Sequence, residues 1–353
     1  MKQLYTPWGE MLDRDCPLVE YPRPQLVRSS YLCLNGLWDY AVEDGDEYTR
    51  RNTGKIRVPF APESLLSGCG FQLQSGETLW YERVFTLPEG FRRDRVLLHF
   101  GAVDQCCRVL VNGREAGRHE GGYLPFCMDI TALLTGGENR LTVAVTDDAE
   151  GGVYGMGKQR YKRGGIWYTA TSGIWQTVWL ESVPENYVKS VRLTPDFDGK
   201  RLHWHIEADA AAGARVTVRA GDAVIAEGQA DASGDGVSDI PAAQFRPWSP
   251  EDPFLYDVDI ELGADRVSSY FGMRKFSVML HQGRQVLALN NAPYFQTGLL
   301  DQGYWSDGLY TPPSDEAMIY DIRTMKELGF NMLRKHIKIE PLRWYYHCDR
   351  LGM

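Results

Sequence analysis

Apolar and polar residues alternate in short runs over the first half of the chain. Between Leu37 and Val183 these runs are rich in Val, Leu, Tyr and Phe and are separated by turn residues: LWDYAVE, KIRVPF, LWYERVFTL, RVLLHFGAV, CRVLVNG, LTVAVTD and TVWLESV. Alternation with little helical periodicity predicts the half-buried strands of an antiparallel sandwich. Asn112 and Gly113 form the pair favoured in two-residue hairpin turns, because both tolerate positive φ. So many strands predict a jelly roll, with an N-terminal extension, over residues 1–183.

A second group of strand patterns follows Pro184, which interrupts the first group. Its runs are VKSVRLTPDF, RLHWHIEAD, ARVTVRAG, AVIAEGQA, LYDVDIEL and RVSSYFGMRKFSV. Turn signals spaced by about 8 to 12 residues are typical of an immunoglobulin-like sandwich. We predict this second domain over residues 184–275.

The pattern changes after Phe276, where strand and helix periods alternate. APYFQTGLL and FNMLRKH are predicted strands, and SDEAMIYDIRTMKELG and PLRWYYHCDRLG are predicted helices. Ser314 stands at the start of the first helix, Gly329 at its end, and Pro341 near the first turn of the second. Strand, helix, strand, helix implies parallel pairing. Residues 276–353 are therefore predicted to be the first two βα units of a barrel, and the whole chain is predicted to be mainly β.

Charge and composition narrow the functional classes. The chain has 353 residues and a formal net charge of -9, with a pI near 5.4, which disfavours a nucleic-acid partner because phosphate backbones attract clustered Lys and Arg. No run is apolar enough for a membrane span, and the charged, proline-containing N-terminus does not resemble a secretory peptide. Seven cysteines at irregular spacings favour a reducing compartment. We expect a cytoplasmic protein.

Four segments, in one order along the chain, carry a resemblance. They are the run from VDQCCRVLVNG to RLTVAVTD, then SGIWQTVWLE, then WSPEDPFLYDVDIEL with FGMRKF, then LALNNAPYFQTGLL. From about Leu34 the chain resembles family 2 glycoside hydrolases, the group of β-galactosidases, β-glucuronidases and β-mannosidases. The resemblance implies a sugar-binding jelly roll, an immunoglobulin-like domain and a (β/α)8 catalytic barrel. Such a barrel has eight units, so we expect the chain to be the N-terminal part of a longer enzyme, truncated early in the barrel.

The resemblance also implies a retaining hydrolysis of O-glycosidic bonds by two glutamates. Their carboxyl groups must lie about 5 to 5.5 Å apart, and the family places both on later barrel strands. We therefore assign no catalytic residue, and we expect the chain alone to be inactive. Glu340 is the tempting candidate, but we interpret it as a solvated loop acid before Pro341. A non-catalytic carbohydrate-binding or scaffold protein is the alternative.

Candidate substrate-binding residues follow the two barrel strands, whose C-terminal ends hold the active sites of such barrels. Arg334 resembles the family's arginine in an Asn-x-x-Arg strand, which braces the catalytic carboxylates; a structural ion pair is the alternative. His336 stands two residues past this arginine, whereas the family has its histidine three past, so a packed or capping role stays open. Asp301, Tyr304 and Trp305 are placed to bind hydroxyls or stack on a sugar, and Trp305 is alternatively a buried loop anchor.

One departure from the family concerns the choice of sugar. Several members have an aspartate six residues before the Gly-Ile pair of the last jelly-roll motif, and counting back from Gly173 gives Trp167. The hydrogen bonds of that aspartate are therefore unavailable from this position. Trp167 is either an apolar wall of the site or part of the core, and the sugar and linkage stay open.

The sequence contains no complete motif for binding a cofactor or a metal. GVYGMGKQ nearly fits a phosphate-binding loop, but Gln159 replaces the metal-binding hydroxyl and the residues that follow do not predict a helix. The histidines and cysteines lack the spacings of zinc sites. We expect a carbohydrate substrate, no cofactor and no metal. Whether the protein is a monomer or a homo-oligomer stays open.

Overall fold

The computed structural model describes residues 4–44 and 50–353. Its first region contains one short helix and fourteen strands: α1 (Pro7–Glu10), β1 (Tyr31–Cys33), β2 (Gly36–Asp44), β3 (Arg50–Val58), β4 (Glu77–Phe85), β5 (Arg95–Phe100), β6 (Val103–Asp104), β7 (Cys106–Val111), β8 (Arg114–Glu120), β9 (Phe126–Asp129), β10 (Asn139–Thr146), β11 (Gln159–Arg160), β12 (Tyr168–Thr169), β13 (Gly173–Ile174) and β14 (Val178–Val183).

These strands form a sandwich of two main sheets. The six-stranded sheet has the order β3-β2-β4-β10-β7-β8, and the four-stranded sheet has the order β1-β14-β5-β9. Side chains that alternate along the strands fill the space between them, with Trp38, Tyr81 and Phe100 fully buried. Asn112 and Gly113 have φ of 52° and 75° in the β7–β8 turn, which agrees with the hairpin prediction.

The second region is a smaller sandwich with its own core. Its strands are β15 (Ser190–Asp196), β16 (Arg201–Glu207), β17 (Arg215–Ala220), β18 (Ala223–Gln229), β19 (Asp235–Asp239), β20 (Tyr256–Leu262) and β21 (Asp265–Phe271). They form the sheets β15-β16-β19 and β18-β17-β20-β21. Trp204 and Tyr256 are buried between the sheets, and the mainly β class is confirmed.

The last region mixes an antiparallel sheet with parallel βα units. Its elements are β22 (Phe276–His281), β23 (Arg284–Leu289), β24 (Ala292–Pro293), β25 (Gly298–Asp301), α2 (Asp315–Glu327), β26 (Met332–Lys335) and α3 (Leu342–Leu351). β25 and β26 pair in parallel, and the side chain of Ser314 accepts a hydrogen bond from the backbone N–H of Ala317 at the start of α2. The predicted strand APYFQTGLL is divided, because β24 completes the sheet of β22 and β23 while β25 alone pairs with β26.

Residues 4–30, which we call the N-terminal strap, cross all three regions. Arg28 donates to Glu181 of the first sandwich at 2.8 Å and to Asp265 of the second at 3.0 Å. The backbone of Thr6 donates to Asp307 at 2.7 Å, and Gln25 donates to the backbone of the last region. The strap therefore joins all three regions.

The domain limits at 183/184 and 275/276, and the continuation of the barrel, stay predictions. Over the described ranges, no helix is long and apolar enough to cross a membrane.

We predict that the 353-residue chain self-associates. Among the strands that the structure describes, β26 pairs only with β25, and Phe276, Val278 and Leu280 lie 62 to 71% exposed along β22. An open strand edge beside an apolar face is a template for association, and a specific contact needs roughly 800 Å² per partner. Light scattering across a dilution series should show dimers or larger species, fewer with Leu280→Ser. Val224→Ser, at an exposed position of β18, is the control, and a strictly monomeric chain would contradict the idea.

A second prediction concerns the stability that Arg28 provides. Arg28→Met leaves Glu181 and Asp265 buried without this partner, so the free energy of unfolding in urea should fall by about 3 kcal/mol. Arg192→Met, at an exposed position of β15, should change it by less than about 0.5 kcal/mol.

The pH dependence distinguishes this ion pair from simple packing. Burial opposes the charge of Glu181, but Arg23, His99 and Arg28 outweigh it and lower its pKa from 4.5 to about 2. A depressed carboxyl pKa contributes stability above the unfolded pKa, and this contribution is lost as the pH falls toward 2. The difference between wild type and Arg28→Met should therefore shrink between pH 4.5 and 2. A constant difference would show that Arg28 acts through packing alone.

Candidate functional site

The C-terminal ends of β25 and β26 bring the predicted residues together. Leu300 lies opposite Arg334 in the parallel register, and both side chains are exposed, whereas Leu333 packs against Met318 and Ile322 of α2. Because strand side chains alternate, Arg334 projects from the face opposite the helices. Arg334 forms no ion pair with any residue in the ranges 4–44 and 50–353. This arrangement does not support the structural ion pair considered above.

Asp301 belongs to a chain of buried charges at the same strand ends. Its carboxylate lies 2.8 Å from the ammonium of Lys335, which lies 2.5 Å from Glu340, and Glu340 also pairs with Lys338 at 3.1 Å. Glu340 is only 4% exposed. Its interpretation as a solvated loop acid is wrong, because the two lysines compensate for its removal from water.

Lys338 ties the two strand-end loops together. Its fully buried ammonium donates to the backbone oxygens of Gly303 and Tyr310, each at 2.6 Å, and pairs with Glu340. Burial lowers the pKa of Lys338 to about 8, although Glu340 acts in the opposite direction. For Lys335 burial also opposes the charge, but Glu340 and Asp301 outweigh it and raise the pKa. These lysines hold the loops that carry the predicted site residues.

His336 lies at the end of β26 with its ring against Gln302. Its Nδ1 is 3.1 Å from the amide nitrogen of Gln302, and its backbone N–H donates to Asp301. Partial loss of water, followed by the positive charges of Lys158 and Arg334, lowers the pKa of His336. A lowered pKa favours the neutral imidazole, in which one ring nitrogen donates and the other accepts.

Trp305 is half-buried and packs against the N-terminal strap. Its ring meets Trp8 edge to face, with 6.4 Å between ring centres, and its backbone pairs with Leu309. These contacts agree with an anchoring role, and the half-exposed ring leaves the sugar-stacking prediction open.

A cluster of tyrosines joins the jelly roll to the barrel strands, and of its members the sequence pointed only to Tyr304. Tyr168 of β12 stacks on Tyr304 at 3.9 Å, and the hydroxyls of Tyr123 and Tyr310 are 3.0 Å apart. The side chain of Gln159 donates to the Tyr310 hydroxyl at 3.3 Å. No spacing in the sequence links these residues, so only the fold reveals the cluster.

Trp167 lies between β11 and β12, outside the sandwich core. It is half-buried, and the guanidinium of Arg160 sits 4.3 Å from its ring centre. The core interpretation of Trp167 is therefore wrong. Its ring belongs to a ribbon, formed by β11 and β12, that rests on the barrel strand ends.

A cavity of about 370 Å³ lies behind this site. Its walls come from the jelly roll, the strap and the loop before α3, and they are mostly apolar, with Tyr123, Phe126, Trp175 and Trp179 among them. None of the five predicted substrate-binding residues lines it, but Tyr123 and Glu340 do. The cavity therefore adjoins the strand-end site without containing the predicted residues.

Comparisons with known proteins give the family. Residues 70–184 match the profile described as "Glycosyl hydrolases family 2, sugar binding domain", and residues 186–274 match "Glycosyl hydrolases family 2". The β-galactosidase of Streptococcus thermophilus is 24% identical over 79% of the chain, and the β-glucuronidase of Felis catus is 25% identical over 94%. The chain spans only 27% and 57% of these two relatives.

Solved structures show the same fold. A β-glucuronidase from Ruminococcus gnavus, in complex with uronic isofagomine, superposes with a TM-score of 0.77 at 19% identity, over 96% of this chain and 59% of that one. The β-glucuronidase of Faecalibacterium prausnitzii gives a TM-score of 0.74 at 24% identity, over 92% and 58%. Since the two matching profiles describe consecutive parts of one family and together span more than half of the sequence, the chain belongs to glycosyl hydrolase family 2.

Proposed function

We propose that this chain forms the N-terminal part of a retaining β-glycosidase. The observation that carries the proposal is the contact of the jelly-roll ribbon with the ends of two parallel strands, through the stack of Tyr168 on Tyr304. Active sites of βα barrels lie at this end of the strands. The named relatives are β-galactosidases and β-glucuronidases, which supports a carbohydrate substrate.

Four of the five predicted residues have distinct roles in this proposal. The guanidinium of Arg334, which has no acidic partner among the described residues, offers a fixed fork of donors to the catalytic carboxylates. Neutral His336 binds sugar hydroxyls. Asp301 lies opposite Lys335 in the register, on the strand face opposite that of Arg334, and supports the site through its ion pair with Lys335 and its bond from the backbone of Gly303. The half-buried ring of Trp305 stacks on the sugar.

Both catalytic glutamates are proposed to lie outside these 353 residues. Retention requires a nucleophile and a proton donor about 5 to 5.5 Å apart. Glu340 is the candidate for such a catalytic acid within the chain, but each of its oxygens faces a lysine ammonium. Both oxygens are therefore held in ion pairs inside the protein, which assigns Glu340 a structural role.

We predict that the 353-residue chain does not hydrolyse aryl β-glycosides above the buffer rate, whereas a longer product of the same gene does. The measurement is the release of aryl alcohol from a panel of aryl β-galactoside, β-glucuronide and β-mannoside substrates. Turnover by the chain itself, lost in Glu340→Gln, would place the catalytic site here. A gene that ends after Met353 would instead favour the carbohydrate-binding or scaffold alternative.

Arg334→Lys in the longer enzyme should lower kcat about tenfold or more. A point charge cannot replace two parallel hydrogen bonds to a carboxylate, while an exposed position contributes little to folding. Arg323→Lys, on the exposed side of α2, is the matched control. Normal kinetics together with a lowered Tm would return Arg334 to a structural role.

A further inference from the structure

The ribbon of β11 and β12 has two chemically different faces. Gln159 and Tyr168 are paired in the parallel register and point inward, where they meet Tyr310 and Tyr304. The neighbouring side chains point outward, because strand side chains alternate. Two contacts confirm that they share one face: Arg160 covers the ring of Trp167 at 4.3 Å, and Arg163 donates to the hydroxyl of Thr169 at 3.2 Å.

This outer face and its adjoining loop concentrate positive charge on an acidic protein. Lys158, Arg160, Lys162 and Arg163 lie within six residues. None of them forms an ion pair with a carboxylate in the described part of the chain, and the last three are exposed. The acid that touches this loop, Glu150, accepts a hydrogen bond from a backbone N–H instead. A chain with a net charge of -9 is already well solvated, so solubility alone does not explain four cations without carboxylate partners in one place.

The charged face continues into the strand-end site. Gly157 sits so tightly against the end of β26 that a Cβ there would lie 3.1 Å from the backbone oxygen of Ile337 and 2.6 Å from the Tyr310 hydroxyl. The next residue, Lys158, is close enough to His336 to lower its pKa, as is Arg334. Lys158 therefore lies near the strand-end site, and Arg160, Lys162 and Arg163 follow it along the chain.

We propose that this surface, defined by Lys158, Arg160, Trp167 and Arg163, binds a carboxylate or sulfate on a sugar unit next to the one that is cleaved. This inference rests on the proposed function. A guanidinium stacked on an indole presents its N–H groups edge-on, which suits bidentate contact with such anions. The half-buried indole of Trp167 offers apolar area for a sugar ring. Because the ribbon lies outside the strand ends, it meets the neighbouring unit of an acidic oligosaccharide.

Binding to the 353-residue chain tests the proposal directly. The probes for isothermal titration are a trisaccharide of galacturonic acid, a sulfated galactose trisaccharide and the neutral galactose trisaccharide. At least one acidic probe should bind about tenfold more tightly than the neutral one, and added salt should reduce this difference. If only one of the two acidic probes binds, that probe shows whether the surface recognises a carboxylate or a sulfate.

Matched variants locate the surface. Arg160→Gln and Lys158→Gln should each weaken the acidic probe about tenfold and leave the neutral probe unchanged, whereas Trp167→Ala should weaken both. Arg114→Gln, an exposed arginine of the β7–β8 hairpin, should change neither. Circular dichroism of each variant checks that the fold is kept.

Three results would overturn the inference: equal affinity for acidic and neutral probes, including no binding of either; no effect of Arg160→Gln; or equal affinity for a single-stranded oligonucleotide, which would indicate general attraction of polyanions. These outcomes are separable from the proposed function. If the longer protein hydrolyses neutral aryl glycosides while the chain shows no preference for acidic probes, only this inference fails. If acidic probes bind as expected but the longer protein hydrolyses no glycoside, only the proposed function fails.

Discussion

The buried guanidinium of Arg28 determines how the parts of this chain sit against each other. It bridges Glu181 of the first sandwich and Asp265 of the second, with all three side chains at most 2% exposed. Removing three charges from water costs several kcal/mol for each ion unless their geometry lets them satisfy one another. The two sandwiches therefore fit together in the one arrangement that keeps both carboxylates against the same cation.

Other residues of the strap connect the two sandwiches to the candidate site. Arg23 adds a second cation to Glu181, while Thr6 and Trp8 hold the loop of Asp307 and Trp305 that follows β25. The ribbon approaches the same loop from the jelly roll through the tyrosine cluster. The strap and the ribbon thus contact the loop after β25 from two sides, so residues of the first sandwich, far away in sequence, contribute to the candidate site.

Positive side chains have opposite roles on the two sides of this mouth. The ammonium groups of Lys335 and Lys338 are buried and paired with Glu340, and they hold the loops in place. An unpaired ammonium inside a protein would be too costly. Arg334 and Arg160 are exposed and form no ion pair with a carboxylate in residues 4–44 and 50–353, so their charge is available to a ligand. The division between structural and functional cations follows burial rather than residue type.

Local chemistry alone determined much of this protein. Alternation predicted the strands of both sandwiches, Asn112-Gly113 predicted a hairpin, and Ser314 predicted the start of a helix, because such signals depend on neighbours a few residues apart. The motifs also led to the correct family and to Arg334 at a strand end. The tertiary structure decided what depends on distant partners: Glu340 is buried because lysines reach it, Trp167 leaves the core because its ribbon folds outward, and the strap matters because Arg28 meets acids more than 150 residues away. Burial and pairing arise only when the chain closes on itself, and no local pattern encodes them.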